Sequence, residues 1–298
     1  MHIECFEYFY KVATVKSISK VAKSAHISQS ALSQQIQKLE DSLGFKLLER
    51  SNKGVRLTEM GNIALKYSDN ITRTYKTMIE ELENAKRKKQ ILRIEAVFPI
   101  ANYALPCTLY ETKEKFQNHN YDLVSNFSEN IKQNVLNNIC DMGFIYGKPS
   151  DDSFSYFKVG TDKIVLVASM DYKIQDEIST RELMEYPLIT LKEETEIEEK
   201  LKKNIENLGY NFEGLNTLFD LHSIEAVKAS VLKGYGISFL SYLTIKQEIY
   251  KKQIKVIDFK DFSLDCDVYL ITKKDSHSNE LANEFIQYFK KIGQKSFC

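Results

Sequence analysis

The sequence predicts an α/β protein in which an all-helical N-terminal module and one long helix precede a region of alternating strands and helices. Three observations support this fold class. Residues 17–43 contain two short amphipathic segments separated by a tight turn, residues 58–88 carry a long proline-free apolar repeat, and short apolar runs alternate with amphipathic segments from residue 91 onward. Strand–helix alternation is typical of parallel sheets covered by helices on both faces.

The paired N-terminal helices are indicated by their caps and apolar spacing. Ser19 is expected to cap the first helix, and His26-Ile27 to form the turn. Ser28 is expected to cap the second helix, which ends at Gly44, a residue that tolerates a left-handed conformation. The apolar residues expected to face inward from this second helix are Ala31, Leu32, Ile36, Leu39 and Leu43.

The opposite face of the second helix is polar but uncharged, whereas a solvated helix face is more usually filled with lysine and glutamate. Base edges in the major groove present mixed donors and acceptors, and glutamine pairs with adenine there. The side chains predicted to read bases are Ser28, Gln29, Ser30, Ser33, Gln34 and Gln37.

A basic hairpin is predicted to follow these helices. Residues 47–57 form a strand, a turn and a strand that carry Arg50, Lys53 and Arg56, which are expected to grip DNA phosphates. A helix-turn-helix followed by such a hairpin is a winged helix. A small helical domain with a polar surface is the alternative, but the cap, the glutamine face and the basic hairpin together favour DNA binding.

The long helix is predicted to run from its cap at Thr58 to about Lys88. Its apolar positions recur in steps of four and three, broken only at Ser68, and this repeat is typical of a coiled-coil dimer. The alternative is a helix that lies on the core of its own chain. The residues of the predicted seam are Ala64, Ile71, Tyr75, Met78, Leu82 and Ala85.

Composition narrows the function classes. A net charge of zero over 298 residues conceals a balance of +6 in residues 1–90 and −6 in the remainder, which fits a nucleic-acid module joined to another domain.

The five cysteines form no CxxC pair, so neither disulfides nor a zinc site is indicated. No catalytic constellation, phosphate loop or other cofactor motif occurs, so we expect no enzyme activity, metal or cofactor. An acidic start and the lack of a long apolar run predict a cytoplasmic protein with no membrane partner.

The C-terminal region is expected to contain nine strands and five helices. The predicted strands are 91–97, 122–127, 142–146, 163–169, 187–191, 218–221, 236–240, 254–259 and 268–272. The predicted helices are 105–118, 130–140, 196–208, 224–233 and 279–291. In such sheets, ligands lie at the carboxyl ends of strands and near helix N-termini.

The chain resembles the LysR-type transcriptional regulators along essentially its whole length. The resemblance is most specific in SISKVAKSAHISQSALSQQIQKLEDSLGFKLLER and the later LTEMG, and weaker in CDMGFI and GYGISFL. One departure is Ser30, which occupies a position where the family usually has proline. Serine is tolerated in the first turn, so the helix is expected to form with a less rigid start.

The resemblance implies a winged helix-turn-helix over residues 1–58, a dimerisation linker helix over 59–89 and an effector-binding domain over 90–298. This last domain is implied to have two α/β lobes like type II periplasmic binding proteins, with lobe I at 91–160 and 266–298 and lobe II at 161–265. Hinge strands would cross near Thr161 and Leu264. The implied partners are a promoter inverted repeat in double-stranded DNA, a small-molecule effector, and further copies in a homodimer or homotetramer.

The resemblance also places an effector cleft between the lobes. The residues implied to line it are Ile100, Ala101, Asn102, Ser128, Tyr146, Thr190, His222 and Phe239. Asn102 and Ser128 are equally well explained as helix caps, and His222 as a structural histidine. None of the six arginines falls among these positions, so we expect no guanidinium clamp and predict a neutral molecule or a weakly held anion. Residues 161–265 contain no cysteine, which excludes the thiol-sensing chemistry of the family's peroxide-responsive branch.

Two alternatives to a regulator remain. The first is a solute receptor or an enzyme built on the two-lobed domain. The receptor is opposed by the missing signal peptide, and the enzyme by the missing catalytic motif. The second alternative is a DNA-binding protein of another kind. A nucleoid-type protein that binds DNA by charge alone would have a much larger basic excess.

Overall fold

The computed structural model describes residues 3–51, 54–86, 91–191, 196–274 and 280–296, and for residues 50, 51 and 293–296 it describes the backbone alone. The chain divides into two compact units, one made chiefly of residues 1–90 and the other chiefly of residues 91–298. Each unit has its own buried core.

Three helices form the core of the first unit: α1 (Glu4–Val15), α2 (Ile18–Ser24) and α3 (Gln29–Leu43). Ser17, rather than the predicted Ser19, caps α2, because its hydroxyl accepts the hydrogen bond from the Lys20 amide at 3.3 Å. The α2–α3 turn passes through His26 in the left-handed region, with φ 56°. Ser28 caps α3 through the Ala31 amide, as predicted.

The predicted hairpin and long helix follow α3 as β1 (Leu48–Ser51), β2 (Gly54–Leu57) and α4 (Glu59–Lys86). The two strands pair antiparallel, with Leu48 opposite Leu57. Thr58 caps α4, since its hydroxyl accepts from the Gly61 amide at 2.9 Å. We call the segment 47–57 the wing.

Helix α4 has two different faces. Ser68 and Thr72 are buried on the face that packs against α1, where Lys76 also pairs with Glu7 at 3.0 Å. Ser68, the polar residue that interrupts the apolar repeat, therefore packs against the core of its own chain. The apolar side chains that remain exposed on α4 are Ile63, Tyr67, Ile71, Tyr75, Met78, Ile79 and Leu82.

The second unit alternates strands and helices, as expected. Its strands are β3 (Ile91–Ala96), β4 (Asn120–Ser125), β5 (Met142–Tyr146), β6 (Phe154–Asp162), β7 (Ile164–Ser169), β8 (Glu177–Ile178), β9 (Leu188–Leu191), β10 (Thr217–Leu221), β11 (Ser238–Ser241), β12 (Ile254–Phe259) and β13 (Cys266–Lys273). Its helices are α5 (Leu105–Lys115), α6 (Ser128–Leu136), α7 (Thr180–Leu183), α8 (Glu196–Asn207), α9 (Ile224–Leu232), α10 (Tyr242–Tyr250) and α11 (Glu280–Ser296).

These elements build two lobes. One sheet has the order β4-β3-β5-β13-β6, in which β3, β4 and β5 are parallel and β13 runs antiparallel. The other lobe contains the sheet β11-β7-β12-β8 and the pair β10-β9, which meets β11 through a bridge between Leu188 and Ile237. The chain passes between the lobes twice, from β6 to β7 through Lys163 and from β12 to β13 through residues 260–265.

Several elements were absent from the sequence prediction. Within the described residues, strand β6 pairs only with β13 at the sheet edge, so most of its outward side chains are polar and its apolar signal is weak. Helix α10 is short and rich in aromatic and β-branched residues, which resemble strand composition. The helix that follows β3 begins before Leu105, because residues 100–104 form a π-helical turn.

Candidate functional site

The polar face of α3 is accessible. Leu32, Ile36 and Leu39 are fully buried beneath it, while Gln29 and Gln34 are exposed and Ser33 is half-buried. Within the described residues, no hydrogen bond engages the side chains of Gln29, Ser33 or Gln34. Three neighbouring groups of donors and acceptors are therefore free to meet a ligand.

The other residues predicted to contact bases already form hydrogen bonds within the chain. The Ser28 hydroxyl caps α3 and also lies 2.9 Å from the Ser30 hydroxyl, so this pair stabilises the helix start. The Gln37 amide donates to Asp41 at 2.6 Å, and its oxygen accepts from Lys46 at 2.9 Å. A base contact by Gln37 therefore has to displace two intramolecular bonds.

A buried glutamate that the sequence analysis missed joins α3 to the wing. One Glu40 carboxylate oxygen accepts from the backbone amides of Leu47 and Leu48 at 2.8 and 3.1 Å, and the other pairs with Lys46 at 2.9 Å. Burial alone would raise the pKa of Glu40, but the bonds from Lys46, Leu48 and Leu47 lower it below the usual value. The sequence feature that could have revealed Glu40 is an acidic residue at an inward-facing position of the helix, directly after Leu39.

Of the basic residues predicted on the wing, the structure places one fully. Arg56 is exposed on β2, in register with Glu49 of β1. The Arg50 backbone lies in β1 opposite Val55, its side chain is not described, and Lys53 lies outside the described residues.

The second unit contains a cavity of about 680 Å³ where its two lobes meet. One wall comes from residues 97–99 after β3, the ends of β4 and β5 and the start of α6, and the other from β9, β10, β11 and the start of α8. Strand ends and helix N-termini therefore converge on it, as expected for a ligand site in an α/β fold. The lining includes the rings of Phe98, Phe127, Phe212 and Phe239.

Half of the predicted effector residues lie in this wall. Ser128, Tyr146, Thr190 and Phe239 line the cavity. Ser128 is buried, and its hydroxyl accepts from the Tyr146 amide at 3.2 Å, which ties α6 to the end of β5. Thr190 donates to Asp220 across the β9–β10 pair at 2.5 Å.

The other half lie outside it. Ile100 and Ala101 are buried in the core, because the helix starts earlier than predicted and turns them inward. Asn102 is exposed and donates to the Phe98 carbonyl at 3.0 Å. His222 is exposed in the link between β10 and α9 and does not line the cavity. The corresponding lining positions are Val97, Phe98 and Pro99.

A carboxylate lies beneath the floor of the cavity at the crossing of the lobes. Asp162, at the end of β6, is buried and accepts hydrogen bonds from Tyr146 at 2.6 Å and from Ser241 at 2.8 Å. Tyr146 belongs to the first lobe and Ser241 to the second, so one side chain joins both. Burial raises the pKa of Asp162 to about 6, with a further contribution from Asp265, although the two hydroxyl groups oppose the shift.

Asp162→Asn is expected to raise thermal stability at pH 8 and to have less effect near pH 5. A folded-state pKa above the unfolded value means that Asp162 favours folding when protonated, and that this contribution is lost as the pH rises through about 6. The shift corresponds to about 3 kcal/mol above pH 7, or several degrees in melting temperature. Asparagine removes the charge and retains an acceptor for Tyr146.

Melting curves of the full chain between pH 5 and pH 8 measure this effect. Asp162→Ala is the control: it removes the same charge but leaves two hydroxyls without their acceptor, so it is expected to be about 1–3 kcal/mol less stable than Asp162→Asn throughout the range. An asparagine variant that is less stable than the original protein at pH 8 would contradict the prediction.

A winged helix together with a two-lobed α/β domain that encloses a cavity defines a class of protein, the ligand-responsive transcriptional regulators. The family described as "Bacterial regulatory helix-turn-helix protein, lysR family" matches residues 3–62, and that described as "LysR substrate binding domain" matches residues 85–293. The chain belongs to the LysR family of transcriptional regulators.

One relative and two solved structures are similar to this chain over 69–99% of its length. The HTH-type transcriptional activator CmpR of Synechocystis sp. is 28% identical over 295 residues, covering 95% of this chain and 93% of CmpR. Full-length CbnR complexed with its target DNA has the same fold, with a TM-score of 0.67, 16% identity and coverage of 99% of this chain and 100% of CbnR. The regulatory domain of Synechocystis CcmR in complex with 2-PG has a TM-score of 0.62 and 18% identity, and covers 69% of this chain and 98% of that domain.

The chain is therefore a DNA-binding transcriptional regulator with an effector-binding domain, and not an enzyme. Among the described helices, none combines the length and apolar character needed to cross a membrane.

Proposed function

We propose that α3 lies in the major groove and reads bases through Gln29, Ser33 and Gln34, with Ser28, Ser30 and Gln37 at the edges of the contact. The single observation that carries this proposal is the exposed polar face of α3 above a fully buried apolar face. Amides and hydroxyls both donate and accept, which matches the mixed pattern of base edges. The DNA-bound structure of CbnR, a protein of the same fold, supports DNA as the ligand.

The wing is proposed to grip phosphates beside the groove through Arg56, together with Arg50 and Lys53. An exposed guanidinium on a short strand of the wing suits backbone contacts, which position a protein without reading sequence. Glu40 supports both contacts, because it connects α3 to the first residues of the wing.

Gln34→Ala and Arg56→Ala are expected to separate base recognition from phosphate binding. Gln34→Ala should lower the preference for the cognate upstream sequence over random DNA by about 1–3 kcal/mol, because a base contact is lost. Arg56→Ala should weaken binding to both DNAs alike and reduce the salt dependence by about one phosphate contact.

The measurement is a gel-shift titration with the protein's own upstream DNA and random DNA at two salt concentrations. Arg73→Ala is the matched control, since it removes an arginine from α4 that lies 3.9 Å from Asp69. Equal affinity of the unmodified protein for both DNAs would refute sequence-specific reading, and exchanged phenotypes would refute the assigned roles.

The proposed sensor is the cavity between the lobes. A ligand that contacts Ser128 and Tyr146 from one lobe and Thr190 and Phe239 from the other would favour one arrangement of the two crossing segments. Binding of 2-PG by the regulatory domain of CcmR, which shares the fold, supports a small-molecule effector. We propose that this rearrangement changes how the protein binds or bends its promoter.

Self-association is proposed to occur through α4. Its exposed apolar side chains, among them Tyr75, Met78 and Leu82, form a stripe along a 28-residue helix, and a second copy would cover them. A dimer would present two α3 helices to an inverted repeat, and further pairing would give a tetramer. Since its proposed target is the chromosome, we place the protein in the cytoplasm.

A further inference from the structure

A second pocket lies in the second lobe, at the end of β7 that is opposite to the lobe crossing. β7 begins at Ile164, directly after the crossing residue Lys163, and runs away from it. The pocket has a volume of about 660 Å³, and its wall is formed by residues 169–173, 232–234 and 252–253. Each of these segments is described throughout, together with the residues on either side of it in the chain. We call it the distal pocket.

Lysines give the wall of the distal pocket a positive charge. Lys173, Lys233 and Lys252 line it, and the one acid of the described wall is Asp171, so positive charges exceed negative charges by two. Within the described residues, none of the three ammonium groups forms an ion pair. Lys233 and Lys252 follow the C-termini of α9 and α10, where a cation also stabilises the helix dipole, but Lys173 belongs to no helix. The wall therefore attracts anions.

A buried hydroxyl without a partner lies in the same wall. Ser169 is only 8% exposed, it lines the distal pocket, and its side chain forms no hydrogen bond with any described residue. Gly234 lies beside it, and a β-carbon at Gly234 would be 3.4 Å from the Ser169 hydroxyl oxygen. Glycine at this position therefore leaves the hydroxyl open to the pocket. A hydroxyl that is largely withdrawn from water gains from a ligand that accepts its hydrogen bond.

Apolar surface lies next to these polar groups. Met170 and Leu232 are exposed and Tyr172 is half-buried, and all three line the distal pocket. Lysine binds phosphate as a point charge, and a phosphate monoester carries about 1.5–2 negative charges at neutral pH, which matches the surplus of two. The volume lies within the range of about 300–1,000 Å³ that is typical of small-molecule sites.

We propose that the distal pocket is a second ligand site, separate from the cavity between the lobes, and that it binds a small dianion of the phosphate-monoester type. The three lysines supply the positive charge, and the Ser169 hydroxyl donates to one phosphate oxygen. Met170 and Tyr172 contact the organic part of the ligand. The proposal does not depend on the role of the cavity between the lobes.

Calorimetric titration of the full chain at low ionic strength tests the proposal with three probes. Phenyl phosphate is expected to bind with a dissociation constant of about 1 mM or below. Inorganic phosphate lacks the apolar body and should bind several-fold more weakly, and benzyl alcohol lacks the charge and should not bind measurably. Added sodium chloride should weaken binding of phenyl phosphate, because salt screens exposed charges.

Lysine variants locate the charge effect. The triple variant Lys173→Gln/Lys233→Gln/Lys252→Gln is expected to weaken phenyl phosphate binding at least about tenfold. The matched control removes the same charge from exposed lysines that do not line the distal pocket, and is expected to bind phenyl phosphate like the original protein. It is Lys202→Gln/Lys203→Gln/Lys246→Gln.

Ser169→Ala separates the hydroxyl from the charge. It is expected to weaken phenyl phosphate binding about threefold to tenfold, because a hydrogen bond to a charged group is lost. The melting temperature of the unliganded protein should stay unchanged, since the hydroxyl has no described partner to lose. Unchanged binding in this variant would overturn the assignment of Ser169 as a donor to the ligand.

Further outcomes would overturn the proposal as a whole. They are the lack of phenyl phosphate binding up to about 10 mM, and an equal loss of binding in both lysine triples. Thr217→Trp fills the cavity between the lobes from β10 and should leave phenyl phosphate binding unchanged, so its loss there would place the dianion between the lobes instead. A pocket triple that weakens DNA binding in the gel shift but not phenyl phosphate binding would show that these lysines contact DNA.

Discussion

Replacing Lys228 by alanine is expected to destabilise the second unit by about 3–5 kcal/mol, the cost of leaving a buried charge without its partner. Lys228 is 7% exposed and lies 2.8 Å from Glu248 of α10. The other Glu248 oxygen is buried and has no hydrogen-bond partner in the described residues, so little else would compensate its charge.

The same lysine connects the two lobes. Tyr103, from the π-helical turn of the first lobe, donates to Glu225 of α9 at 3.1 Å, and the Lys228 ammonium lies 5.7 Å from the centre of its ring. Burial alone would lower the pKa of Lys228, but Glu248, Tyr103 and Glu225 raise it above the usual value. Its contribution to folding is therefore present at neutral pH and is lost only as the pH rises through that elevated pKa.

Urea denaturation of the full chain measures the loss, with Lys246→Ala on the exposed side of α10 as the matched control. The double variant Lys228→Met/Glu248→Leu removes both charges and is expected to recover most of the stability, because an apolar pair carries no desolvation cost. A loss below about 1 kcal/mol in the single variant would show that the ion pair does not stabilise this unit.

Glu40→Ala is expected to destabilise the first unit by about 3 kcal/mol and to weaken DNA binding at least about tenfold. The variant leaves the amides of Leu47 and Leu48 without their acceptor, and each bond to a charged group is worth about 1.5–3 kcal/mol. The wing would then be held less firmly against α3, which weakens phosphate contacts that depend on position.

The folded-state pKa of Glu40 is lowered, so its contribution is complete above the unfolded value of 4.5 and is lost as the pH falls through the folded value. Acid unfolding followed by circular dichroism should therefore begin at a higher pH in Glu40→Gln than in the original protein if the charge matters. Glu49→Ala, at an exposed position of β1, is the control. Unchanged DNA affinity in folded Glu40→Ala would show that Glu40 does not position the wing.

Local patterns in the sequence determined the N-terminal fold and its candidate DNA interface. Leu32, Ile36 and Leu39 recur at helical spacing, and Ser28 and Gly44 mark the ends of α3, so each element depends on neighbours in the chain. The cap of α2 was misassigned to Ser19, because Ser17 and Ser19 are both suitable capping residues and only backbone geometry separates them.

The prediction was weaker where structure depends on distant partners. Edge strand β6 became recognisable only through β13, more than a hundred residues later. Ile100, Ala101 and Asn102 follow the first strand as expected, but the helical turn there directs them away from the cavity.

The sequence alone determined that a winged helix precedes a region of alternating strands and helices, because periodicity and capping are properties of contiguous residues, whereas the division of that region into two lobes was implied by the resemblance to the LysR-type regulators. Only the tertiary structure decided that three lysines and Ser169 line one pocket, that Asp162 joins both lobes and that Glu40 supports the wing. These features depend on side chains far apart in sequence, whose burial and charge are set when the lobes and strands come together.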